Sequence, residues 1–152
     1  MGNSNDIASW KRFLNTFANV YIVIDVILIV LGALFATGIV DADTVLDVYD
    51  VGADQLAGTT AAAFASVIGI TLVVSYAVNL ICVLLVRRGV KDPSKIRLGM
   101  VLFCVLSVAS LVSLVKSLLD GGGLDANIQG LATTVMNCCV FYGAFKLNAS
   151  AK

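Results

Sequence analysis

The chain has 152 residues, 59% of them hydrophobic and only 13% charged, with ten bases balancing ten acids. A soluble domain of this size carries roughly 25% charged residues, so water is not expected to be its main solvent. Zero net charge offers no whole-protein attraction to nucleic acid. The absence of His excludes imidazole metal centres, His-based triads and His-ligated haem.

Mean hydropathy is +0.97, and the apolar residues fall into four long segments, at about 17–40, 60–86, 98–119 and 128–145. A helix rises ~1.5 Å per residue and the hydrocarbon core is ~30 Å thick, so ~20 residues suffice for each crossing. The expectation is an all-α integral membrane protein with four transmembrane helices in an antiparallel bundle. A transmembrane domain over 17–147 would be flanked by an N-terminal segment, 1–16, and a short tail, 148–152.

Along 1–16, Ile7, Trp10, Leu14 and the following Phe17 recur at helical spacing, with Lys11 and Arg12 beside them. This predicts a short interfacial helix or the wet start of the first span, with Asn5 or Asp6 as a cap and Trp10 at headgroup level. The first apolar run exceeds the roughly 7–15 residues of a signal-peptide core, so it is read as a retained span. Asp25 interrupts it, within YIVIDVILIV at 21–30.

The next loop, 41–56, contains no base. Asp43, Asp47, Asp50 and Asp54 recur at spacings of four, three and four. A solvated helix face explains that pattern. A calcium loop does not, because Val45 takes the fifth position and no Glu closes it. The second span aligns Ala61, Ala65, Gly69 and Ala77; the first offers Gly32 and Ala36; the fourth offers Gly130, Thr134 and Cys138. Lipid tails are as apolar as Leu, so such small residues are where membrane helices gain contact.

Residues 87–97, RRGVKDPSKIR, gather Arg87, Arg88, Lys91, Lys95 and Arg97 around the only proline, Pro93. With Lys11 and Arg12 before the first span and Lys146 and Lys152 after the last, they predict cytoplasmic termini, N-in and C-in; the basic-inside preference alone accounts for these charges, and a cell (plasma) membrane is the expected location.

The third span carries Ser107, Ser110, Ser113 and Ser117, expected to bond back to their own helix. Lys116 is the single base inside a span and is read as interfacial, snorkelling outward to meet Asp120 one turn away. GGGLDAN at 121–127 reads as a flexible turn with Asp125 as a candidate cap for the last helix. The cysteines, Cys82, Cys104, Cys138 and Cys139, lie in apolar runs without a CxxC pair and read as packing residues. VNLICV at 78–83 and MNCCV at 136–140 are weakly alike, as a duplicated two-helix unit or plain insertion requirements would produce.

Counting from the basic ends of the spans at ~1.5 Å per residue, Asp25 lies roughly 12 Å deep, Asn79 roughly 10 Å, Asn137 roughly 12 Å and Ser107 roughly 13 Å. Lys116 lies roughly 27 Å deep on that scale, out of reach of Asp25. The sequence therefore predicts an intramembrane polar layer of Asp25, Asn79, Ser107 and Asn137, one residue from each span. Its amides and hydroxyl can donate to the carboxylate. Two functions follow: a packing lock in a small non-enzymatic structural or assembly subunit, or a cation or proton site in a small transporter or channel. In architecture the chain is similar to small multidrug exporters, which have four helices and a carboxylate in the first. Their acid is Glu, and no aromatic substrate cage is evident here. No catalytic, metal or cofactor pattern is found, and the expected partners are the lipid bilayer and either a second copy or a larger membrane protein.

Overall fold

The computed structural model describes residues 4–52, 56, 58–121 and 123–150. Helices α1 (Ser4–Ala36), α2 (Ala42–Val48), α3 (Ala61–Lys91), α4 (Ile96–Leu119) and α5 (Leu124–Ser150) follow in order, with a 3-10 turn at Pro93–Lys95. The protein is all-helical among the described residues, and α1, α3, α4 and α5 are each long and apolar enough to cross a membrane.

The helix limits differ from the apolar limits in instructive ways. The segment before the first span is not a separate helix: α1 runs unbroken from Ser4, since nothing between Asp6 and Phe17 is Gly or Pro. It stops at Ala36 rather than 40, where Gly38 takes a φ of +70° and the Thr37 hydroxyl donates to the Ala33 carbonyl at 2.8 Å. Helix α3 starts as expected, with Thr60 Oγ1 accepting from the Ala63 amide at 3.2 Å, but continues through Arg87 and Arg88 to Lys91. The last apolar segment was the shortest, yet α5 has 27 residues against 24 for α4. Hydropathy marks where a helix can meet lipid; polar residues such as Asn127 and Lys146 continue it beyond that point.

Residue contacts divide the chain into two compact units, Val20–Ile81 and Met1–Asn19 with Cys82–Lys152. In Val20–Ile81 the small-residue faces meet at Gly32 and Gly69. A Cβ added to Gly69 would lie 2.5 Å from the Gly32 carbonyl oxygen and would also strike the Ala36 backbone nitrogen. A Cβ on Gly32 would lie 2.8 Å from the Gly69 carbonyl oxygen. One turn along, the Ser66 hydroxyl faces the Ala36 carbonyl at 3.5 Å. Next to this contact Phe35, Val45 and Ala65 form a buried cluster, joined by Ile68 and Leu72.

Helix α2 supplies Val45 and Leu46 to the interior and leaves Asp43 and Asp47 exposed. The longer acidic face does not extend as the spacing implied. Asp50 lies beyond the helix with a φ of 52°, a left-handed conformation that Asp tolerates better than most residues. Asp54 is outside the described residues.

In the other unit Leu14, Val83, Val86, Ile96, Val140 and Leu147 are fully buried. Phe17 and Phe103 meet edge to face at 6.0 Å, as do Trp10 and Tyr142 at 5.3 Å. Trp10 also packs on Gly143, where a Cβ would come within 2.7 Å of the indole. Helical spacing in the first turns of α1 thus corresponds to a real packing face: Leu14 and Phe17 are buried and Ile7 and Trp10 half-buried. Lys146 lies 5.6 Å above the Tyr142 ring and 3.9 Å from Asp6, a half-exposed pair of little energetic weight.

Three smaller expectations change. Lys116 and Asp120 form no ion pair among the described residues; Asp120 ends α4, and its backbone amide bonds the Lys116 carbonyl at 2.9 Å. Asp125 is inside α5, which begins at Leu124. Of the small-residue face expected on α5, Thr134 is buried and Gly130 half-buried, whereas Cys138 is exposed.

Candidate functional site

Asp25 sits on α1 with 0% of its surface accessible. A buried carboxylate is costly unless hydrogen-bonded, and Asn79 on α3 provides the bonds. Its Nδ2 donates to Asp25 Oδ1 at 2.9 Å and to Oδ2 at 3.1 Å. One neutral amide therefore spans both oxygens. The register comes from the chain itself: Asp25 with Asn79, Gly32 with Gly69 and Ala36 with Ser66 are successive contacts, numbers rising on one helix as they fall on the other.

No Lys or Arg occurs anywhere in residues 20–81. The unit that holds Asp25 has no base of its own to neutralise it. Asn79 can orient the carboxylate and donate to both of its oxygens, but it adds no positive charge.

Ser107 and Asn137 belong to the other unit. Ser107 is buried, and its hydroxyl donates to the Phe103 carbonyl one turn back at 2.7 Å. Asn137 Nδ2 reaches Ser110 Oγ at 3.4 Å, and the Ser110 hydroxyl donates to the Ser107 carbonyl at 3.1 Å. Ser110 was not among the expected layer residues, because depth counting favoured Ser107; it lies one turn further along the same serine stripe. A second missed contact joins Ser117 Oγ to Asn127 Oδ1 at 2.9 Å. Its signal was a serine and an amide flanking one short turn.

The remaining expected residues occupy other surfaces. Trp10 packs against Tyr142 as described, Lys116 is exposed, and Arg88, Lys91, Lys95 and Arg97 are exposed around the Pro93 turn. Arg87 is half-buried, and its Nε lacks a hydrogen-bond partner. The turn itself is fixed by Asp92, which accepts from the Ser94 hydroxyl at 2.6 Å and pairs with Lys95 at 2.7 Å. The Lys95 ammonium and then Ser94 hold the Asp92 carboxyl down at about 2.

No family model matches the chain, and no curated protein or solved structure matches it.

Proposed function

We propose that this protein is a small non-enzymatic membrane subunit, an antiparallel four-helix bundle with both termini cytoplasmic, in which Asp25 and Asn79 lock two helices in register. The observation that carries this reading is the closed geometry at Asp25: no accessible surface, and both carboxylate oxygens held by one amide. Each interhelical hydrogen bond in a membrane contributes about 0.6–2 kcal/mol, enough to select a register and too little to hold a misfitted pair together. The distribution of bases supports the orientation, since every loop expected outside lacks Lys and Arg. Assembly would be with a second copy or a larger membrane protein, in the plasma membrane.

A transport reading draws on a different observation, the absence of any base in residues 20–81. A proton or a small cation would supply the missing positive charge at Asp25, as ionisable groups within spans often do. Asp25→Asn separates the two readings. In reconstituted vesicles the lock predicts unchanged assembly and no proton or cation flux from either the wild type or the variant. Flux in the wild type that disappears in a well-folded Asp25→Asn protein would replace the lock with a transporter. A wild-type protein that purifies alone as a stable monomer in mild detergent would remove the assembly role.

A further inference from the structure

The basic segment 87–97 does more than its topology requires. Three of its bases converge on one open pocket of about 530 Å³, lined by Leu85, Arg88, Ser94, Lys95, Arg97 and Leu98. Gly89 makes the convergence possible: a Cβ there would lie 2.5 Å from the Ile96 Cα, so only glycine lets the start of α4 settle this closely on the end of α3. Arg88 then arrives from α3, Lys95 from the 3-10 turn and Arg97 from α4.

The bases are not equally committed. Lys95 is paired with Asp92, the sole acid of the segment. Arg88 and Arg97 are exposed and form no ion pair among the described residues. Two guanidinium forks with unused donors suit a phosphate, which they can hold in bidentate fashion. Leu85 and Leu98 complete the lining, and both lie inward of the turn along helices long and apolar enough to cross a membrane. The pocket therefore presents charge at the headgroup level and apolar surface toward the hydrocarbon.

We propose that this pocket binds the phosphate of an anionic phospholipid headgroup, held by Arg88 and Arg97 with the Ser94 hydroxyl beside them, and with the lipid's chains against Leu85 and Leu98. A diffuse attraction of basic loops to anionic membranes would make all five bases equivalent; a site makes two of them matter.

The test uses the delipidated full-length protein in a neutral detergent, titrated with dioleoyl phosphatidylglycerol, dioleoyl phosphatidylcholine or inorganic phosphate, with binding counted by native mass spectrometry. The wild type is expected to prefer phosphatidylglycerol. The double variant Arg88→Gln/Arg97→Gln is expected to raise its half-saturating concentration about 30-fold, at about fivefold per base. Lys11→Gln/Lys91→Gln removes the same charge outside the pocket and is expected to change it less than about twofold. Should the glutamine pair fail to insert, Arg88→Lys/Arg97→Lys keeps the loop charge and loses the forks; a several-fold weakening is expected, and none overturns the site. Equal losses in the two glutamine pairs would reduce the pocket to diffuse charge. Equal binding of phosphatidylcholine would remove the anionic headgroup, and saturable binding of inorganic phosphate alone that displaces the lipid would make free phosphate the occupant.

Discussion

Val20–Ile81 holds six of the ten acids and none of the bases; the rest of the chain holds all ten bases. The two units also pack with different materials. In Val20–Ile81 backbone meets backbone at Gly32 and Gly69, and a carboxylate is closed off beside that contact by one amide. In the other unit aliphatic side chains such as Leu14, Ile96 and Leu147 fill the interior with Phe17 and Phe103, and the polar side chains bond chiefly within their own helices. Close backbone approach leaves no compressible side chain between the helices. The first unit should therefore be brittle toward added atoms, and the second forgiving away from the places where glycine again meets backbone, as Gly89 does at Ile96.

The largest contrast is expected at the glycines. Gly69→Leu should abolish the folded state of the first unit, because the added atoms meet fixed backbone at Gly32 and Ala36. Gly130→Ala in the second meets only the end of the Leu114 side chain, at 3.1 Å. Its cost should stay within about 0.5 kcal/mol, since Ala also favours the helix by about 1 kcal/mol over Gly. Unfolding by sodium dodecyl sulfate in bicelles measures both; equal sensitivity would erase the contrast.

Asp25→Leu comes next. It strands the Asn79 amide and should cost about 1–3 kcal/mol. Adding Asn79→Leu should recover part of that loss, and a double-mutant cycle with no coupling would show that the bonds at 2.9 and 3.1 Å contribute nothing. In the second unit Asn137→Ala removes one long contact to Ser110, at 3.4 Å. By the same unfolding assay it should cost no more than about 0.6 kcal/mol.

The smallest effect concerns the Pro93 turn. Asp92 has its carboxyl depressed to about 2 in the folded state, so any stabilisation it gives is present above the ordinary carboxylate range and is lost as pH falls through about 2. Ser94→Ala removes one donor and should shift the Asp92 titration upward, read by carboxyl-carbon NMR. An unmoved titration would leave the Lys95 pairing as the whole cause.

Much of this was legible in the sequence, for reasons that can be located. Asp25 and Asn79 were matched by counting depth alone, since a helix converts residue number into height at a fixed rate. Gly32, Ala36, Ala65 and Gly69 stood out as a small-residue face for the same reason. Ser107 bonds back to its own helix, as its serine stripe implies, while Ser110 takes the contact with Asn137, a choice that depth does not reveal because depth says nothing about rotation. The ends of α1 and α5 differ from the apolar limits because hydropathy does not set where helical hydrogen bonding stops; α1 stops just before Gly38, which takes a positive φ. The pocket at Arg88 and Arg97 was invisible because charge spacing along a loop does not reveal that Gly89 folds it back on itself.

The segregation of bases has a practical consequence for anyone mapping this molecule. Between Arg12 and Arg87 the chain offers trypsin no cleavage point and amine-reactive reagents no lysine. The entire stretch from Phe13 to Arg87, buried carboxylate included, would leave a digest as one greasy fragment. Lysine cross-links would report solely on the remaining part of the protein, so distances around Asp25 have to come from carboxyl chemistry or from cysteines introduced for the purpose.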